Sequence, residues 1–306
     1  MPLVIFYHQL VAEPQPQHRF LRNALTREQF RASMEHVREH YHPLTVEELD
    51  HGWNNGRAWP RRSVVITFDD GFRNNLWAAE ILRELDMQGT FFVLSDVIDS
   101  DFIPWYLHFS HILTTRRKHI ATLGGKEFDL AERLPARRWE HLVKEHLLSL
   151  APNDRSAELE ALGEQLDAEP IDGNEDYAYF SSADLRRMRE LGMTVGCHSA
   201  THDNLARCTD DELQREVVQS GRRLAEHLGE PIRYMSYPDG RYDHRVVELA
   251  SRHYSMAFAA SPHVPANNAW RYPRRNTGAD VQAVLSPWFR PRRLAIETVK
   301  WCLGER

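Results

Sequence analysis

Short apolar runs bounded by turn-forming residues recur along this chain, separated by stretches with helical period. Leu3–Tyr7, Val64–Phe68, Thr90–Leu94, Met193–Cys197, Arg233–Tyr237 and Met256–Ala260 read as buried strands. Between them lie helix signals. Thr26 and Gln29 form a capping-box pattern ahead of Phe30, Met34 and Val37, which share one helical face. Thr45 and Glu48 repeat that pattern, and Thr209 and Glu212 open a helix predicted to run to about Leu228. Leu76, Ala79, Ile81 and Leu82 mark a helix after the second strand, and Asp243 caps another. Repeated strand–helix units predict a parallel α/β fold.

From about residue 100 to 180 the strand signal disappears and helical period dominates. Strand–helix alternation then resumes, so this stretch reads as a helical insertion of about 80 residues within a barrel of roughly 220. The predicted organisation is a catalytic domain over 1–285 followed by an amphipathic basic helix over 286–306. That last segment carries Arg290, Arg292 and Arg293 beside an apolar stripe. Packing on the domain and peripheral contact with an anionic membrane are both open to it.

Composition narrows the classes. With 42% hydrophobic and 27% charged residues, whole-chain disorder is excluded. A net charge of −6 gives no basic field for nucleic acid. Cys197, Cys208 and Cys302 are too scattered for a disulfide framework or a cysteine zinc site. No apolar run approaches the length of a membrane span. The opening MPLVIFYHQL has no basic segment and only a short apolar run, so the expected location is the cytoplasm.

The chemistry gathers at strand ends, where parallel α/β folds bind ligands. One strand ends in Thr67-Phe68-Asp69-Asp70-Gly71. Adjacent carboxylates repel, and a cation or a proton must compensate. A metal can hold one while the other stays free as a base, although Asp-Gly is also a common turn pair. A second strand ends in His198-Ser199-Ala200-Thr201-His202. Histidines four apart can share one metal. His36 and His40 have the same spacing but sit on a polar helix face without a carboxylate pair. A third strand ends in Ser236-Tyr237-Pro238-Asp239-Gly240, which a plain turn would also explain. One Asp with two His makes a site for Zn²⁺ or another divalent first-row metal, with positions left for water and substrate.

Thr-Phe-Asp-Asp-Gly, then His-Ser-x-x-His, then Ser-Tyr-Pro-x-Gly, in this order, resembles the polysaccharide deacetylases, the NodB-type carbohydrate esterases. The resemblance runs from about residue 3 to 280 and skips the insertion. It implies a distorted (β/α)₇ barrel. It makes Asp69 the general base and Asp70, His198 and His202 the ligands of one divalent ion, Zn²⁺ first, with Co²⁺, Ni²⁺ or Mn²⁺ as alternatives. The Asp239 backbone N–H would help hold an oxyanion, and Tyr237 and Pro238 would line the substrate. Two departures from the family pattern matter. Ser236 stands where an Arg usually orients the base; Pro273-Arg274 fits a later Arg, with Arg275 its rival. The C-terminal Leu-x-His that supplies a general acid is missing, and Phe6-Tyr7-His8 fits the branch that places this acid near the N-terminus, so His8 takes that role.

The implied activity is removal of an N-acetyl group from an amino sugar, in cytoplasmic biosynthesis of a surface polysaccharide or glycolipid. The substrate would be a saccharide, a nucleotide sugar or a lipid-linked saccharide. Trp105, in the insertion, is a candidate for stacking on a sugar ring. Two rival readings are an amide or formyl hydrolase of the same fold and a catalytically silent saccharide-binding protein.

Overall fold

A computed structural model describes residues 1–13, 24–130, 137–171, 178–261 and 265–277. In chain order, β1 (Leu3–Tyr7), β2 (Gln9–Val11) and β3 (Ala24–Thr26) precede α1 (Arg27–His40), β4 (His42–Leu44) and α2 (Val46–Asn54). Then come β5 (Ser63–Phe68), α3 (Asn75–Glu84) and β6 (Thr90–Val93). The region read as an insertion supplies α4 (Trp105–Thr115), β7 (Ile120–Leu123), β8 (Lys126–Asp129), α5 (Arg137–Ser149) and α6 (Pro152–Leu166). After α7 (Ser182–Glu190) and β9 (Thr194–Cys197), helix α8 runs through Asp210–Leu213, a π turn at Gln214–Gln219 and Ser220–Leu228. β10 (Tyr234–Ser236), α9 (His244–His253), β11 (Met256–Ala259) and β12 (Tyr272–Asn276) follow.

Seven parallel strands close in the order β1, β12, β11, β10, β9, β6, β5, and β1 pairs back onto β5 from Leu3↔Val64 to Tyr7↔Phe68. This is the expected distorted (β/α)₇ barrel. The distortion lies beside β5, where β4 pairs Ser63–Val65 and β6 pairs only Thr67 and Phe68. Alternation divides the strands' side chains between two cores. Val4, Val65, Phe92, Tyr234, Met256, Phe258 and Tyr272 fill the barrel, and Leu44, Val46 and Leu49 join that cluster. Leu3, Ile5, Val64, Ile66 and Phe91 pack outward on helical residues such as Phe30, Met34, Leu82 and Leu185. The interior is tight at Gly196, where a Cβ would lie 2.5 Å from the Phe92 ring and 3.1 Å from the Tyr234 carbonyl.

Six strands were not in the sequence reading: the three-residue β2, β3 and β4, the pair β7 and β8, and β12. The region from 100 to 180 contains the antiparallel hairpin β7–β8. Its turn, Gly124-Gly125, has φ of +53° and +74°, the left-handed pair that a two-residue hairpin requires. β12 has no apolar run, because its Arg274 side chain is buried against a carboxylate instead of hydrocarbon. The Thr209 capping box is present, but the helix after it passes through the π turn. The insertion has its own apolar cluster, including Phe109, Ile112, Leu123, Leu147, Leu159 and Leu162. No helix among the described residues is long and apolar enough to cross a membrane. The segment 286–306 lies outside the described residues.

Candidate metal and hydrolytic site

The strand ends converge at one mouth of the barrel. The Asp69 N–H still donates to the Tyr7 carbonyl (2.9 Å), which extends the β1–β5 ladder by one bond. The chain then turns through left-handed backbone at Asp70 (φ +74°) and Gly71 (φ +82°). A Cβ at Gly71 would come within 2.7 Å of Val93 Cγ1, so both the conformation and the space call for glycine. On the other side His198 N–H bonds the Val93 carbonyl (2.9 Å). The loop after it turns at Ser199 (φ +74°) and His202 (φ +66°). Glu216, buried on the π turn of α8, holds this loop by accepting from Ala200 N–H (3.0 Å), Thr201 N–H (3.0 Å) and Thr201 Oγ1 (2.9 Å). π turns often sit where a functional side chain must be re-aimed.

These turns bring three buried ligand atoms together. Asp70 Oδ1 lies 3.4 Å from His198 Nε2 and 3.5 Å from His202 Nε2. All three atoms fall within 4.8 Å of one another. His198 Nδ1 is 2.9 Å from the Ser236 carbonyl, an acceptor only. Nδ1 therefore carries the proton, and the Nε2 lone pair faces Asp70. Asp70 Oδ1 is buried with no hydrogen-bond partner among the described residues. Burial pushes His202 down to about 4 despite the opposing charges of Asp70 and Asp239, so its ring is neutral at pH 7. Burial also disfavours the His198 cation, but Asp69 and Asp70 outweigh it and the pKa is raised. Burial opposes ionisation of Asp70, yet His198, His8 and His202 hold its carboxyl below the usual range. Two imidazoles, an ionised carboxylate and an orphaned buried oxygen fit a divalent cation.

Asp69 faces the barrel interior and meets Arg274 of β12. The guanidinium donates to both carboxylate oxygens, Nη1 to Oδ1 at 2.7 Å and Nη2 to Oδ2 at 2.6 Å. It also bonds Thr67 Oγ1 (3.1 Å) and the Ser236 hydroxyl, and lies 4.7 Å from the Phe6 ring centre and 5.3 Å from that of Phe92. Burial works against the Asp69 anion, but Arg274 and then His198 prevail and its pKa is lowered. Arg274, not Arg275, meets the carboxylate; Arg275 follows it on β12 and is half-buried. Ser236, too short to replace an arginine, instead accepts from Arg274. His8 is half-buried just past β1, its ring 5.5 Å from Phe6, and its charge acts on both Asp69 and Asp70.

The third strand end behaves differently from expectation in part. Asp239 is in left-handed backbone (φ +51°), after Pro238, which is buried. Its side chain also enters the site: Oδ1 accepts from Lys144 Nζ at 2.6 Å, and Oδ2 lies 3.9 Å from His202 Nδ1. Tyr237 does not fit the substrate-lining role, because it is fully buried and its hydroxyl donates to the Trp270 carbonyl (2.6 Å). Trp105 does not fit a sugar-stacking role either. It is 7% exposed, donates its indole N–H to the His202 carbonyl (3.0 Å), and has the Arg155 guanidinium 5.2 Å from its ring centre.

Four nearby residues escaped the sequence reading. Tyr106 sits with its ring centre 4.6 Å from that of His202 and its hydroxyl 2.8 Å from that of Tyr179. Burial and then the Asp70 charge raise the pKa of both phenols, which keeps them neutral. Lys144 and Glu216 carried no motif; the only hint was that Lys144 is one of four lysines among 38 basic residues. Beside the 238–241 turn opens a groove of about 570 Å³ lined by Glu145, Leu148, Asn204, Arg207, Gly240 and Tyr242, among others.

A family profile described as polysaccharide deacetylase matches residues 56–257. A search of curated protein sequences finds no match. Among solved structures, the fold is similar to the Streptococcus pyogenes deacetylase PplD in complex with acetate, at 15% identity and a TM-score of 0.62, over 94% of this chain and 97% of that one. It is similar to IcaB from Ammonifex degensii at 17% identity and a TM-score of 0.59, over 94% and 96% of the two chains. A de-N-acetylase from Aggregatibacter actinomycetemcomitans matches at 13% identity and 0.54, over 94% and 98%. At these identities the likeness concerns the fold.

Proposed function

This chain belongs to the polysaccharide deacetylase family, and from that premise we propose that it is a metal-dependent hydrolase removing an N-acetyl group from an amino-sugar-containing saccharide. The observation that carries the reading is the ligand set itself. His198 and His202 flank the unpartnered Oδ1 of Asp70, with an ionised, clamped Asp69 next to it in the chain. Those three residues would hold a divalent ion, which when bound polarises an amide carbonyl and acidifies a water.

The chain's own residues supply the rest. Asp69 takes the proton of the attacking water, and the Arg274 fork keeps its carboxylate ionised and aimed. The Asp239 backbone N–H, on its left-handed turn, donates to the oxygen that gains charge. His8, just past β1, donates a proton to the departing amine. The barrel core behind the site is packed, so substrate approaches from the mouth, and the groove along Gly240 and Asn204 gives a saccharide room beyond the reacting residue. We assign the activity to biosynthesis of a surface polysaccharide or glycolipid.

The test is acetate release from a panel of N-acetyl saccharides, nucleotide sugars and lipid-linked saccharides. Chelation is expected to abolish release, and one divalent ion per chain to restore it. Asp69→Asn should lower turnover about 10²- to 10⁴-fold while the ion still binds. Full activity in metal-free protein, or near-native turnover of Asp69→Asn, would overturn the assignment.

A further inference from the structure

Resting on the metal reading above, we propose that the Asp239 carboxylate and Lys144 of the insertion are positioning residues for the ligand His202, so that the insertion helps build the metal centre. With Nε2 of His202 turned toward Asp70 (3.5 Å), its Nδ1 carries the ring proton. That Nδ1 is buried and has no hydrogen-bond partner among the described residues. The nearest carboxylate oxygen is Asp239 Oδ2 at 3.9 Å, also buried and also without a partner. A complementary donor and acceptor, both orphaned and facing each other, need a shift of only about 1 Å to reach hydrogen-bond length. His198 already has the equivalent support, from the Ser236 carbonyl at 2.9 Å. Ligating histidines commonly rely on such a second partner to fix the ring.

Lys144 decides where Asp239 points. Its Nζ holds Oδ1 at 2.6 Å, which leaves Oδ2 turned to His202. Lys144 comes from α5, and other insertion residues hold the same loop. Trp105 donates to the His202 carbonyl (3.0 Å), Arg155 pairs with buried Asp203, and Asn204 donates to the Leu148 carbonyl (2.6 Å). The insertion therefore grips residues 202–204, at the His202 backbone and at the Asp203 and Asn204 side chains, and reaches the His202 ring through Asp239.

The experiment titrates Zn²⁺ into the metal-free full chain against a chromophoric chelator, and records the visible spectrum of the Co²⁺ form. The wild type is expected to bind one ion, and His202→Ala to lose at least two orders of magnitude in affinity. Asp239→Asn suits the left-handed backbone and should bind about 10- to 100-fold more weakly, with shifted Co²⁺ bands and an unchanged metal-free melting temperature. Lys144→Met should weaken binding by a smaller factor, and Lys144→Arg should restore most of it. If the wild type binds one ion and Asp239→Asn matches it within twofold with the same Co²⁺ spectrum, the positioning role is wrong while the metal site stands. If the wild type takes up no stoichiometric ion, the metal reading fails and takes this inference with it. Should Asp239→Asn not fold, wild-type affinity in Lys144→Met would by itself overturn the proposal.

Discussion

Arg274 and Asp69 are both buried, and removing either has a different consequence. Replacing Arg274 with Met leaves a carboxylate unpaired in the barrel, a loss of about 3–5 kcal/mol. Asp69's pKa would then rise, and the acid limb of the pH–rate profile would move to higher pH. Denaturant midpoints and a pH–rate series check both outcomes. The sign follows from the depressed pKa of Asp69: the pair contributes stability above the ordinary carboxylate range, lost as pH falls through the lower folded value. The ligands make a separate pH prediction. A metal needs neutral rings, His198 is raised and His202 lies at about 4. Between pH 5 and the raised pKa of His198, affinity should fall about tenfold per unit of acidification, one proton displaced per ion. A slope of two would show that both rings titrate there. Asp69, Asp70, His198 and His202 were legible because polar residues directly after apolar runs stand out locally. Lys144 and Tyr106 were not, since only packing of the insertion brings them to the strand ends.

Among elements, legibility followed what each buries. β1, β5, β6, β9, β10 and β11 bury hydrocarbon on both faces and read as apolar runs. β12 buries a guanidinium balanced by a residue far away in sequence, and local pattern cannot show that balance. The β7–β8 hairpin was missed, because helical period on both sides outweighed the short strands around Gly124-Gly125. α8 was visible from its capping box, whereas its π turn has no local signature. That turn serves the loop between His198 and His202 through Glu216. Glu216→Ala should strand the N–H groups of Ala200 and Thr201, at about 1–3 kcal/mol for each that stays buried and unpaired. Urea denaturation measures the loss, and Zn²⁺ affinity should fall with it. Unchanged affinity would mean the loop holds its shape without this anchor.

On the scale of the whole molecule, the (β/α)₇ class followed from strand–helix repetition together with the motif resemblance, while closure depended on a strand the pattern did not show. An ion that binds only the closed form stabilises it by mass action, about 2.7 kcal/mol at a hundredfold excess over its dissociation constant. A chelator should therefore lower the melting temperature of the wild type and leave His202→Ala unmoved, a check that needs no substrate. Closure also sets an order of assembly. Asp69 and Arg274 are 205 positions apart, and β12 is the strand that joins β11 to β1. On the ribosome, Asp70, His198 and His202 emerge well before that strand. A growing chain can gather Asp70, His198 and His202 while Asp69 still has no partner. A chain cut short of residues 272–276 keeps two open strand edges, prone to pairing with other chains, and lacks the Arg274 clamp on Asp69. Truncated products are thus expected to be chemically silent, so that activity reports a chain translated through its last barrel strand.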